Sequence, residues 1–235
     1  MNHHQILEAM RTRHSVRQYT DRKLSDEKVK TIENLLEELS RTSSISFHLM
    51  CNEPKAFGSW KAKYGSFSGV SNYIVISAPD QSARNQELAG YFGQQAVLAV
   101  QHMGLNTCWV ALTFKKESQL WDLRPGWKVI CLIALGYGKN QGVPHRSKPA
   151  EKLANLSMDS PEWFKKGIEA AMLAPTAVNQ QKFYLEQKGD QAKVLPSGLD
   201  DSKQSGADQQ PKSMTNSSQP AAAGFCCRSN AGGAC

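Results

Sequence analysis

"RTRHSVRQYT", residues 11–20, sets Arg11, Arg13 and Arg17 around His14 and Ser15, with no acidic residue between Glu8 and Asp21. A phosphate needs two or more cationic donors and a short hydroxyl or backbone donor. Arg13 and Arg17 can approach one anion from two sides while Ser15 adds a third bond. A basic interhelical turn has the same composition, so the stretch alone leaves both readings open. Its flanks place it between two helices. Upstream, Ile6, Leu7 and Met10 predict a short helix over 5–12, which takes Arg11 onto a helix surface. Downstream, Ser25 as N-cap, Glu27 in the first turn and the apolar positions Val29, Ile32, Leu36 and Leu39 predict a helix over 25–40. The stretch is therefore a connector between helices, where backbone donors and basic side chains can converge on a ligand.

Further along, residues 41–72 read as a loop region rich in Ser, Gly, Asn and aromatics. "YIVISAP", 73–79, is a β-branched run ended by proline, and predicts a buried strand. Residues 85–103 form a long, largely apolar central helix, closed by Gly104 as C-cap. "TCWVALT" (107–113) and "WKVICLIALGY" (127–137) are further strands, separated by a charged helical turn at 115–123. Ser160-Pro161-Glu162 predicts a capped helix start with proline at the first position, and Pro175 ends that helix. "KFYLEQ", 182–187, is a strand that "KGDQ" and "AKVL" return as a hairpin. Helices and strands alternate without a strict βαβ rhythm, so the expected class is α+β: a mixed sheet sandwiched by helices, one domain over residues 1–196. Residues 197–235 are low in large apolar side chains and predict a disordered tail, unable to offset its ordering entropy by burial.

The 235 residues carry a net charge of +7 with 40% hydrophobic residues, enough apolar material for a substantial core. The charge admits a basic anion-binding or nucleic-acid-binding module. The lysines are nevertheless scattered as single and double residues, the pattern of a solvated face, so no nucleic-acid partner is expected. No apolar run approaches the roughly 20 residues of a membrane span, and the N-terminus has no signal-peptide pattern, which predicts a soluble cytoplasmic protein without membrane contact. In that setting Cys51, Cys108 and Cys131 are expected to be reduced thiols. No metal site is expected, because neither the cysteines nor the histidines show ligand spacing.

Three more stretches carry candidate chemistry. In "VICLIALGYGKNQG", Gly136, Gly138 and Gly142 imitate a dinucleotide fingerprint, but the last interval is one residue too long and no helix follows, so the Rossmann reading fails. The next loop, "HRSKP" (145–149), offers Arg146 and Lys148 as further cations, or is an ordinary exposed loop. "APTAVNQQ", 174–181, places the amides of Asn179, Gln180 and Gln181 before a strand. Amides both donate and accept, which suits the edge of a heterocycle, although a self-capping helix stop would look the same. In "GLNTCWVAL", 104–112, Trp109 is either core or a flat ring beside a cofactor. Cys108 has no partner base placed near it by sequence.

Taken in order, "RHSVR", "MGLNTCWVAL", "LGYG…HRSKP" and "APTAVNQQ" resemble the nitroreductase family of flavin enzymes over about residues 5–195. The late amide-rich stretch is most similar to a Thermotoga-type branch. The resemblance implies FMN as cofactor, with Arg13, His14, Ser15 and Arg17 at its phosphate and ribityl chain. It also implies Thr107, Cys108 and Trp109 near the flavin or beside the helix that supports it, Arg146 at the phosphate, and Asn179 and Gln181 at the flavin edge. Asn106 stands where a second glycine is common. The implied activity is hydride transfer from NAD(P)H through the flavin to a nitroaromatic, quinone or similar small-molecule acceptor. The flavin carries the chemistry, so no catalytic side chain is assigned. Homodimers with flavin at the interface are common in the family, though the central helix could equally be buried within one subunit. A flavin-binding or degenerate member without turnover is the alternative. Nothing after residue 196 resembles the family, which leaves a native extension or an altered reading frame open.

Overall fold

The structure is a computed structural model that describes residues 1–59, 62, 65–115, 120–197 and 213–214. The chain divides into two compact units, one within Met1–Pro144 and one within His145–Ala223.

In the first unit, α1 (His3–Thr12) opens on a capping box in which the Asn2 side chain accepts from the Gln5 amide and the Gln5 side chain accepts from the Asn2 amide. Helix α2 (Asp26–Ser43) is capped by Ser25, carries Asp26 and Glu27 in its first turn, and ends at Ser44 in the left-handed region. The four-stranded sheet consists of β1 (Ser46–Met50), β2 (Asn72–Ala78), β3 (Asn106–Val110) and β4 (Lys128–Gly136), in the order β1-β2-β4-β3. These pairs are all antiparallel. Parallel pairing enters through isolated bridges, among them Ser15 to Thr107. Central helix α3 (Ala83–His102) is capped by Ser82 and closed by Gly104 at φ +78.

The sheet is buried on both faces, which is why β2 and β4 read as apolar runs rather than alternating ones. Ile74, Ile76, Cys131, Ile133 and Leu135 meet α2 and α3, with Ile32, Leu36, Val97 and Val100 opposite them. Tyr73, Val75, Leu132, Ala134, Cys108 and Val110 form the other face with Val16, Tyr19, Phe57, Phe67, Phe114 and Trp121. Within this second face the Tyr73 hydroxyl donates to the Glu53 carboxylate and accepts from the Trp121 indole.

A first departure from the sequence reading is an added strand. Residues 41–72 contain strand β1, an edge strand with Phe47 and Leu49 buried and His48 exposed. Only two of its five residues face the core, and flanking serines blur the alternation. Residues 116–119 of the charged turn expected at 115–123 lie outside the described residues.

The second unit holds α4 (Glu162–Met172), β5 (Phe183–Lys188), β6 (Gln191–Pro196) and β7 (Ser213–Met214), with strand order β5-β6-β7. The expected hairpin is present: Lys188 pairs with Gln191 across Gly189-Asp190, with Gly189 at φ +59. The helix start needs correction. Pro161 is the cap, not the first helical residue, and among the described residues no side chain caps the helix. The Ser160 hydroxyl instead accepts from the Ser157 amide. The disordered tail expected over 197–235 lies outside the described residues, except at Ser197 and at Ser213–Met214, which pair with β6.

Candidate functional site

Residues 13–20 leave α1 as an extended strap across the sheet end. Arg13 is the C-cap of α1, already extended at φ −73, ψ 119. Ser15 bridges Thr107, and the Val16 amide donates to the Thr107 carbonyl at 3.0 Å. The Ser68 amide donates to the Arg17 carbonyl, and the Thr20 amide to the Tyr137 carbonyl. Val16 and Tyr19 point inward, and the buried Tyr19 hydroxyl donates to the Val16 carbonyl at 2.7 Å and lies 3.3 Å from that of Ala134. Apolar anchors thus alternate with the basic residues and fix where the latter stand.

Three of the expected site residues, Arg13, Ser15 and Arg17, lie near enough to Cys108 to act on its thiol. Arg13 is 3% exposed, and among the described residues its Nε has no hydrogen-bond partner. Burial pulls its guanidinium below the ordinary value, with Cys108 acting in the opposite sense. Thr107 Oγ1 is likewise buried without a partner. Burial pushes the Cys108 thiol up, opposed by the Arg17 charge, a hydrogen bond with Ser15 and the Arg13 charge. Those opposing influences put Arg13, Ser15 and Arg17 beside one thiol. Burial thus favours the neutral thiol over the nucleophilic thiolate at Cys108. Arg17 is exposed, His14 is half-buried, and Arg11 is exposed on α1.

Trp109 points to the opposite face of β3. Its indole donates to Gln94 Oε1 at 3.2 Å, and a Cβ on Gly93 would collide with its ring. It braces α3.

The three glycines of the false dinucleotide motif have a packing role. Gly136, at φ +153, faces the Tyr19 ring. A Cβ on Gly138 would stand 2.8 Å from both Val16 Cγ1 and Asn106 Oδ1. A Cβ on Gly142, at φ +71, would stand 2.8 Å from His14 Cβ. The loop after β4 is glycine-rich because the strap lies against it.

In the second unit the loop after residue 144 and the amide-rich stretch form one hydrogen-bonded assembly. Gln181 is buried; its Oε1 accepts from the Lys148 amide at 2.7 Å and its Nε2 donates to Ser147 Oγ at 3.3 Å. Its carbonyl accepts from Lys148 Nζ at 3.1 Å, and its amide donates to Thr176 Oγ1 at 3.1 Å. The Asn179 side chain donates to the Arg146 carbonyl at 2.9 Å. Both the His145 ring and the Ser147 hydroxyl reach the Met172 carbonyl. Val178, Asn179 and Gln181 all have positive φ, and Val178 is 88% exposed. That is a strained conformation for a β-branched residue. Gln181 is therefore chiefly a clamp, while Arg146 and Asn179 are exposed.

Sequence reasoning missed Tyr19 and the bracing of Trp109 by Gln94. Tyr19 had a signal, an aromatic three residues after Val16 within a basic stretch; the Gly93 notch had none. Among the described residues there is no group of three or more side chains suited to a metal ion, and no helix long and apolar enough to cross a membrane. Cys51 and Cys108 are free thiols.

The architecture is that of the nitroreductase fold. A "putative nitroreductase" of Thermotoga maritima aligns with a TM-score of 0.59 at 23% identity, covering 83% of this chain and 78% of the other. One from Desulfovibrio desulfuricans, in complex with FMN, gives 0.51 at 24% identity over 68% and 98%. A nitroreductase from Desulfitobacterium hafniense with bound FMN gives 0.51 at 19% over 65% and 97%. No curated protein matches. The family model described as "Putative TM nitroreductase" matches residues 5–208, and the chain belongs to that family of oxidoreductases.

Proposed function

We propose that the chain is an FMN-dependent oxidoreductase that passes hydride from NAD(P)H to a nitroaromatic, quinone or similar electron-poor acceptor. The observation that carries this reading is Arg13. A guanidinium 3% exposed, with its Nε unpaired among the described residues, is costly to keep unless a ligand supplies the anion. A phosphate meets that need, with Ser15 donating from its hydroxyl and Arg17 adding charge from the solvent side. Family membership and the FMN bound to two relatives of the same fold support the choice of anion.

Bound FMN would supply hydride acceptance and release, so the chain needs no acid–base dyad of its own. The residues act by binding and orientation. Arg13, His14, Ser15 and Arg17 hold the phosphate and ribityl end, and Thr107, whose buried hydroxyl lacks a partner, offers a donor there. Cys108 stays a neutral thiol beside the phosphate, and Trp109 keeps α3 in place. The family resemblance adds Arg146 to the phosphate contacts. In this reading Asn179 and Gln181 serve the flavin edge, Gln181 chiefly by holding the loop that carries Asn179. A homodimer and a cytoplasmic location, where buried reduced thiols and NAD(P)H are both at home, complete the reading.

Purified protein is expected to show flavin absorbance and to oxidise NAD(P)H with a quinone. Arg17→Ala, combined with Arg146→Ala, is expected to give colourless protein. Full FMN occupancy in that double variant would overturn the assignment.

A further inference from the structure

We infer that Asn106 is a positioning residue that sets the anion grip through a clasp on the glycine loop; the inference rests on the FMN reading. Asn106 begins β3 and is 4% exposed, and both ends of its side chain are used. Oδ1 accepts from the Gly138 amide at 3.0 Å, and Nδ2 donates to Gln141 Oε1 at 3.0 Å. Two bonds from one buried amide therefore tie β3 to both ends of the loop from Gly138 to Gln141.

That loop lies on the strap. Tyr19 bridges Gly138, and the Lys139 amide donates to the Gln18 carbonyl at 2.9 Å. A Cβ on Gly142 would come 3.1 Å from the Ser15 carbonyl as well as against His14. The other side of the strap is held by Thr107, next in sequence to Asn106, through Val16 and Ser15. Ser15 and its neighbours are thus gripped between β3 and the loop, and Asn106 fixes the distance between those two walls. No atom of Asn106 need touch the ligand. Its role is to keep Ser15, Arg13 and Arg17 at the spacing one phosphate requires, because a misplaced donor loses most of its worth.

The test compares Asn106→Ala and Asn106→Asp with the parent chain. The readouts are FMN affinity by flavin fluorescence quenching, hydrogen exchange at the Val16 and Gly138 amides, and kcat at saturating FMN. Asn106→Ala is expected to weaken FMN by about tenfold, the equivalent of one to two buried hydrogen bonds. It should also accelerate exchange at both amides, with a smaller change in kcat. Asn106→Asp is expected to restore slow exchange at the Gly138 amide, from which its carboxylate accepts, but not FMN affinity, because its negative charge stands beside the anion. If Asn106→Ala does not fold, Gln141→Ala removes one of the two bonds at an exposed residue and should shift both readouts in the same direction by about threefold. Parent-like FMN affinity with parent-like Val16 exchange in the alanine variants would overturn the inference. A parent chain that takes up no FMN would overturn the FMN reading. The clasp would then stand or fall on Val16 exchange alone.

Discussion

Replacing Arg13 by Met should separate stability from ligand binding. The two side chains have comparable length, so packing at a position 3% exposed is largely kept. What changes is the charge and the Nε donor that has no partner. A buried donor left unsatisfied costs about 1–3 kcal/mol, more when the group is charged. Arg13→Met should therefore stabilise the ligand-free chain by about 1–3 kcal/mol, each 1 kcal/mol raising Tm by about 2–4 °C for a chain of this size. FMN binding should fall in the same variant. A charge-assisted hydrogen bond contributes about 1.5–3 kcal/mol, which corresponds to a loss of about 10- to 150-fold in affinity. Urea denaturation of the flavin-stripped chain and a fluorescence titration with FMN measure the two quantities on the same preparations. A variant that is less stable than the parent and binds FMN equally well would refute the reasoning, since Arg13 would then be a structural residue whose charge is satisfied within the fold.

Tyr19→Phe removes the donor to the Val16 and Ala134 carbonyls and should destabilise by about 1–2 kcal/mol in urea; an unchanged midpoint would remove Tyr19 from the strap's anchors. Burial lifts the Cys108 thiol and the Tyr19 phenol, so the unfolded chain ionises first. The thiol's stabilising contribution is complete below its ordinary value of about 8.5 and the phenol's below about 10, and each is lost as pH rises above that value. Cys108→Ser should make the decline in stability between about pH 8 and pH 10 shallower, and an identical slope would show that Cys108 ionises alike in both states.

The elements most legible in the sequence were those whose signal is local. The Ser25 cap, the β-branched run of β2, the apolar α3 and the Gly189-Asp190 hairpin each carry their own pattern within a few residues. Strand β1 was lost because an edge strand turns only Phe47 and Leu49 inward. Ser160 misled for a different reason: a serine before proline looks like a cap, but its hydroxyl was taken by the Ser157 amide, three residues back. In the site, the basic strap and the amide-rich stretch stood out by residue type. What each does depends on partners far away in the chain, such as Asn106 with Gly138, Gln181 with Lys148 and Trp109 with Gln94. The glycines after β4 show this most plainly, since their spacing suggested a nucleotide loop and their need comes from the bulk of His14, Val16 and Tyr19.

The strap also has a meaning for the chain's behaviour in a crowded solution. β3 is the last strand in its sheet, and an open strand end is a template for pairing with other molecules. At Thr107 that edge is occupied by Ser15 and Val16 of the same chain. Gripping an anion and shielding the edge are then one act of folding. A lesion that loosens the strap should cost the protein its ligand and its resistance to aggregation together, and a bound phosphate should protect against both.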